Sequence, residues 1–368
     1  MDLPTAQRLI LLVGAGLFGA CFGSFLNVVI YRLPLPDLRV SQPKRSFCPN
    51  CKRTLPWYEN LPVLGWLFLR GKCAGCKSGI SFRYPLVELL SALGLVFLFA
   101  TRPWPEAAAL SLFFLLLLAA TFIDFDHLII PHEITFGGAA AGLIAASLVP
   151  GLHGAELWWK GLLAAVLAAA AGFALLWTVV NLGKLAFGKR RESYDKPERW
   201  TISQPDPEQA PILKLGDVEI EWWDLFFRPT DRLEMTCPKA RIGPKNFTDA
   251  QLIIREESIE VGGETISLED VERMSGTTTE VVIPREAMGQ GDIWFLMMIG
   301  TFTGWKGVLF TVAFASFFGT IAGTVPRLFG KSDWFNRIPF GPYLALAAGV
   351  WVVWGPSLVR WYLGMIGR

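Results

Sequence analysis

Eight apolar runs interrupt this chain at intervals and restrict it to a fold embedded in a membrane. They lie at about Leu9 to Ile30, Pro85 to Ala100, Ala107 to Ile123, Ile134 to Val149, Leu157 to Phe187, Ile293 to Thr303, Val308 to Val325 and Tyr343 to Leu363. A spanning helix takes ~20 predominantly apolar residues, so the sixth run is short. Composition agrees: 52% of the 368 residues are hydrophobic and 18% charged, proportions that soluble domains rarely reach. A formal net charge of +2 supplies no basic field for nucleic acid. The first run also admits a second reading as a signal peptide, since Phe18-Gly19-Ala20-Cys21 faintly resembles a lipoprotein cleavage site. It has no basic n-region beyond Arg8 and stays apolar well past Cys21, which favours a spanning helix.

Lys and Arg concentrate on the cytoplasmic flanks of spanning helices. The stretch from Tyr31 to Tyr84 carries Arg32, Arg39, Lys44, Arg45, Lys52, Arg53, Arg70, Lys72, Lys77 and Arg83, and is expected to be cytoplasmic. Alternation from there places Lys189, Arg190 and Arg191 inside, with Arg327, Lys331 and Arg337, and leaves both termini outside. Between 188 and 286 the chain turns polar, with strand-like runs such as Val218 to Trp222 and Thr279 to Ile283. The expected architecture is an all-α polytopic membrane protein of about eight transmembrane helices with a cytoplasmic four-cysteine zinc-binding loop and an inserted small soluble domain, α+β or β. Its segments are a first helix (1–31), the cysteine loop (32–84), helices two to five (85–187), the insertion (188–286) and helices six to eight (287–368).

Cys48-Pro49-Asn50-Cys51 and Cys73-Ala74-Gly75-Cys76 form two C-x-x-C pairs, whereas Cys21 and Cys237 stand apart. Two such turns can bring four thiolates onto one tetrahedral zinc and leave no open position, so the metal is expected to be structural. The alternative is a pair of disulfides or four free thiols; a reducing cytoplasmic setting disfavours disulfides.

Acidic residues at the ends of apolar runs are the second signal. Asp124 and Asp126 follow the third run, and Asp292 closes Gly289-Gln290-Gly291-Asp292. Ionisable groups at membrane depth are costly and tend to be functional or paired. Two carboxylates brought together from separate helices can share a proton, one acting as base on water and the other as acid toward a peptide. Each also has a plainer reading, Asp292 as a helix cap after glycines and Asp124 as a group facing the cytoplasm. His127, His132 and His153 are too few and scattered for a metal site and read as interfacial.

These residues sit within longer motifs. Gly23-Ser24-Phe25-Leu26-Asn27-Val28-Val29-Ile30-Tyr31-Arg32-Leu33-Pro34 is followed by Pro56 to Pro62, Gly71-Lys72-Cys73 and Arg83 to Glu88. Ile123-Asp124, Met288 to Asp292 and Ile338 to Tyr343 complete the set. In these the chain resembles the bacterial type IV prepilin leader peptidase and N-methyltransferase family, over both ends and nearly every span but not the insertion. The resemblance implies an aspartic endopeptidase with Asp124 and Asp292 as the catalytic pair, Asp126 being the competing candidate. It implies prepilin or pseudopilin substrates cut after the glycine that ends a basic leader. It further implies methylation of the new N-terminus from S-adenosylmethionine, with Gly71 at a position associated with that step. No Gly-rich Rossmann fingerprint accompanies the last expectation. The implied location is the bacterial inner membrane.

The chain departs from the family pattern in three places. His132 follows Pro131 where an acidic residue is usual, Trp294 stands two residues after Asp292 where Lys is usual, and the insertion is large. A catalytically inactive scaffold or a transporter is the alternative function; the lack of evident inverted repeats speaks against the transporter.

Overall fold

The computed structural model describes residues 5–35, 38–204, 210–222, 225–226, 231–268, 273–284, 289–328 and 339–366. It divides into two compact units, Met1–Trp177 with Gly289–Arg368, and Thr178–Met288. Lys331, Arg337, Met288 and Ile338 lie outside the described residues.

The first unit is a helical bundle of α1 (Thr5–Arg32), α3 (Arg83–Thr101), α4 (Trp104–His127), α5 (His132–Leu148), α6 (Trp158–Phe187), α7 (Gln290–Leu328) and α8 (Gly341–Ile366). A short α2 (Leu64–Phe68) lies in the cysteine loop. Six of these are long and apolar enough to cross a membrane: α1, α3, α4, α6, α7 and α8. Eight apolar runs give six such helices because α5 has 17 residues and because two runs join in α7. Large apolar side chains such as Ile10, Leu17, Phe18, Leu167 and Phe317 are exposed, as lipid-facing surfaces require.

Within the bundle, helices approach closely where side chains are small. A Cβ at Gly19 or Gly23 of α1 would come to 2.7 Å from the Ser91 carbonyl oxygen or 2.6 Å from the Glu88 Cα of α3, so the small-x-x-x-small spacing allows the two backbones to meet. The first apolar run is thus an integral member of the bundle. Its end is tied to the following loop by Arg32, whose guanidinium donates to the carbonyls of Val40 (3.2 Å), Pro43 (2.7 Å) and Arg45 (3.2 Å).

The α7 run reverses direction. Gly304 has φ 70° and ψ 173°, outside helical space, and separates two helical legs. Just before the break, the Thr303 carbonyl accepts from the Trp351 indole of α8 at 3.2 Å, and His153 Nε2 donates to the Thr301 carbonyl at 2.9 Å. Fifteen residues further on, Gly319 lies beside Phe340 and Tyr343 at the start of α8. A straight helix starting near Trp351 would travel about 22 Å away over that length. Contact first with Trp351 near the middle of α8 and then with residues at its start therefore requires the second leg to fold back along it.

The second unit is an eight-stranded antiparallel sheet, β1 (Lys189–Ser203), β2 (Ile212–Leu215), β3 (Val218–Glu221), β4 (Leu233–Ile242), β5 (Lys245–Ile254), β6 (Ser258–Val261), β7 (Glu264–Ser267) and β8 (Arg273–Pro284). The order is β3-β2-β1-β8-β4-β5-β6-β7, so every neighbour is a hairpin partner except where β8 returns between β1 and β4. Among the described residues the insertion is β rather than α+β. Alternation along β4 buries Leu233, Met235, Cys237, Ala240 and Ile242 beside Trp200, Leu213 and Ile254 in one core. Leu213 is fully buried there, so Leu213→Ala is expected to destabilise the sheet by about 2–5 kcal/mol. Amide hydrogen exchange in the full-length protein should show this as faster exchange across β1, β2 and β8 with bundle helices unchanged.

Candidate active site and cysteine centre

The two C-x-x-C turns fold alike. The Cys48 N–H donates to the Arg53 carbonyl (2.9 Å) and the Lys52 N–H to the Cys48 carbonyl (2.8 Å). In the second turn the Cys73 N–H donates to the Ser78 carbonyl (2.9 Å) and the Lys77 N–H to the Cys73 carbonyl (3.0 Å). Lys52 and Lys77 both take left-handed φ, 56° and 60°, which curls each turn around its sulfurs. All four Sγ atoms lie within 4.8 Å of one another, with Cys48 to Cys76 at 3.8 Å and Cys51 to Cys73 at 4.0 Å. A tetrahedral zinc with ~2.3 Å Zn–S bonds sets its sulfurs about 3.8 Å apart, so the set fits that ion. The Ser78 hydroxyl, 3.0 Å from Cys76 Sγ, pulls that thiol down to about 6. The four cysteines are not disulfide-bonded.

The loop is anchored to the bundle through Glu88, a buried carboxylate of α3 that accepts the Val63 N–H at 2.7 Å. Gly71 lies in the same loop at φ 66°, and a Cβ there would come to 2.9 Å from the Trp66 ring. Its N–H donates to the Trp66 carbonyl (3.0 Å), and the Trp66 indole donates to the Ile80 carbonyl (3.0 Å). The structure gives Gly71 a turn-forming role beside the second cysteine knuckle.

The aspartates converge from different helices. Asp124 occupies the last turn of α4, which Leu128 closes in the left-handed conformation with its N–H donating to the Asp124 carbonyl at 3.0 Å. Pro131 then starts α5, so Ile130 is held in the short connection and buried. Asp292 occupies the first turn of α7, where the helix dipole favours an acid. Gly291 packs on Ile130, and Gly341 at the start of α8 packs on both Ile130 and Asp124. The Gly341 N–H donates to Asp124 Oδ2 at 3.0 Å. Both carboxylates are buried, 5% and 7% exposed, and the starts of α7 and α8 that carry Asp292 and hold Asp124 pack on the same Ile130. Two acids enclosed together away from water form a site able to hold and pass a proton. Asp126 is built differently: it is partly exposed and forms an ion pair with Arg83 that ties the end of α4 to the start of α3.

The first two departures from the family pattern meet in space. His132 packs on Phe136 (ring centroids 5.4 Å), Phe136 on Trp294 (4.9 Å), and Trp294 on Phe173 (4.9 Å). An aromatic cluster therefore links α5, α6 and α7 through Trp294, two residues after Asp292. Gly341 and Ile130 had no role assigned from sequence. The signal for Gly341 was present in the motif from Ile338 to Tyr343, but only the fold shows that Gly341 must lack a side chain to admit Asp124.

A bundle of membrane-length helices with a loop of four converging cysteines and buried aspartates from two of the helices is a narrow class of membrane protein. Residues 17–102 match the Bacterial Peptidase A24 N-terminal domain, and residues 111–189 and 272–324 match the Type IV leader peptidase family. The break in the second match falls inside the inserted sheet. The chain is 29% identical to a prepilin leader peptidase/N-methyltransferase of Aeromonas hydrophila over 94% of its own length and 92% of that protein. It is 26% identical to the protein of that name from Pseudomonas aeruginosa, over 100% and 98%. With one from Myxococcus xanthus it shares 49% identity over 35% of this chain and 38% of the relative. No solved structure gives a significant match. The chain belongs to the Type IV leader peptidase family, and is a peptidase of the membrane.

Proposed function

We propose that this protein is an aspartic endopeptidase that removes the leader peptides of type IV prepilins or pseudopilins at the cytoplasmic face of a bacterial inner membrane. The observation that carries this reading is the meeting of two buried carboxylates, Asp124 and Asp292, at the ends of α4 and α7. One takes a proton from water as the water attacks the carbonyl carbon of the glycine that ends the leader. The other gives a proton to the departing amine, and no covalent enzyme intermediate is needed. Eight crossings, with α5 spanning and α7 spanning twice through its reversal at Gly304, put the pair and the basic cysteine loop on the same side. Zinc held by Cys48, Cys51, Cys73 and Cys76 stabilises that loop and takes no part in hydrolysis.

Purified protein in detergent, incubated with a model prepilin and read by mass spectrometry, tests the proposal: a mature product beginning immediately after the glycine is the expected result. An intact precursor with several substrates, from protein shown to be folded, would favour an inactive scaffold. A second activity, methylation of the new N-terminus, is favoured by the names of the relatives, and a methyl mass increment that appears only with S-adenosylmethionine checks it.

Gly341 offers a test of geometry alone. A Cβ there would come to 2.7 Å from Asp124 Oδ2, so Gly341→Val must displace the carboxylate. Misplacement of a reacting group by about 1 Å costs on the order of 10²-fold in rate, and cleavage kinetics should show a loss of that size with metal content unaltered.

A further inference from the structure

An apolar groove of about 370 Å³ opens on the side of the bundle between α3, α4 and α8. One end is formed by Thr121, one turn before Asp124, and by Pro342, next to the Gly341 whose N–H holds Asp124. The other end reaches Trp354. From Pro342 to Trp354, α8 rises about 18 Å, more than half of the ~30 Å hydrocarbon core. Its mouth is flanked by Phe97 and Leu346, which are 44% and 55% exposed. Ala345 and Gly349, four residues apart on α8, line the groove wall and permit close backbone approach. Gly349 is open: a Cβ built there meets nothing within 4 Å.

We propose that this groove is the docking site for the apolar membrane helix of the precursor, which it holds so that the helix's leader end, carrying the scissile bond, arrives at Asp124 and Asp292. The inference rests on the peptidase reading and specifies how the substrate is held. A binding surface for a spanning helix must be apolar, elongated along the neighbouring spanning helices, laterally open and lined where possible by small residues. This groove meets each requirement, and its continuity with the Asp124 end selects a substrate helix over an acyl chain, which gains nothing from reaching the carboxylates. Because the groove begins one turn from Asp124, an occupant helix delivers its end to the pair and leaves the more polar leader to emerge beyond the bundle.

Two measurements test it. A photocrosslinking amino acid is placed at Leu346 or Phe97 in the groove, and at Leu167 on the exposed surface of α6, each in an Asp292→Asn background with intact prepilin. Crosslinks to precursor at the groove positions and not at Leu167 are expected; equal crosslinking at all three, or crosslinks to lipid alone, would overturn the proposal. Gly349→Leu is the second, since Gly349 lines the groove and a Cβ there meets nothing within 4 Å. It should raise KM for full-length prepilin about tenfold and leave unchanged the cleavage of a short peptide that spans the leader junction but lacks the apolar segment. An unchanged KM for prepilin, or an equal loss on both substrates, would overturn it. Should Asp292→Asn itself cleave prepilin, the catalytic assignment fails, while the crosslinking pattern still reports whether the groove is occupied.

Discussion

Asp292→Asn is expected to lose prepilin cleavage by on the order of 10³-fold or more, and Asp124→Asn by a similar factor. The amide is nearly isosteric with the carboxylate, so the buried site keeps its shape while it loses the ability to take and release a proton. Asp124→Glu should also be inactive. Gly341 packs directly on Asp124 Oδ2, leaving no room for an added methylene without moving the start of α8. The control is Asp126→Asn, which removes one side of an ion pair with Arg83. Partly exposed ion pairs contribute up to ~1 kcal/mol, so that variant should process prepilin within a few-fold of the native rate. Cleavage assays on all four variants at matched membrane insertion separate the two aspartates of the α4 end. An active Asp124→Asn and an inactive Asp126→Asn would reverse the assignment.

Removal of metal is expected to have the second large effect. Structural zinc sites contribute apparent binding free energies of about 10–16 kcal/mol, which becomes folding free energy for the segment that holds the ion. Around the cysteines the loop has few buried apolar groups of its own; Cys48 and Cys73 are themselves among its buried residues. Purified protein should carry close to one zinc per chain by elemental analysis. Cys48→Ser, or prolonged chelation, should release it and make the stretch between Arg45 and Ile80 sensitive to protease, with the helices of the bundle retained. A protein that contains no zinc yet keeps a protease-resistant loop would show that the four thiols are held by the fold alone.

Much of this architecture was legible before any coordinates. Apolar runs marked the helices because burial in lipid demands long uninterrupted hydrophobic stretches. The two C-x-x-C pairs marked the loop in which four sulfurs converge, and Val218 to Trp222 and Thr279 to Ile283 do fall largely within strands β3 and β8. Relations through space were hidden. Local spacing could not choose between Asp124 and Asp126, which sit two residues apart; burial of one and the ion pair of the other separate them. Likewise Trp294 looked like a lost lysine, and only its packing against Phe136 and Phe173 shows what its side chain does instead. The reversal at Gly304 lies between two apolar runs that composition separates but cannot orient. Contacts at the middle of α8 and then at its start reveal it.

The inserted sheet begins and ends on adjacent strands. Lys189 of β1 lies opposite Pro284 of β8, a cross-strand separation of roughly 5 Å. For the chain running from α6 to α7, the whole insertion is therefore a detour that returns to its starting point. Segments can be gained or lost within such a detour while its two attachment points keep their spacing, so the sequence distance between the two aspartates is free to vary while their separation in space is not. Lineages of this peptidase can then acquire or discard a domain at this junction as a unit, without retuning the chemistry on either side of it.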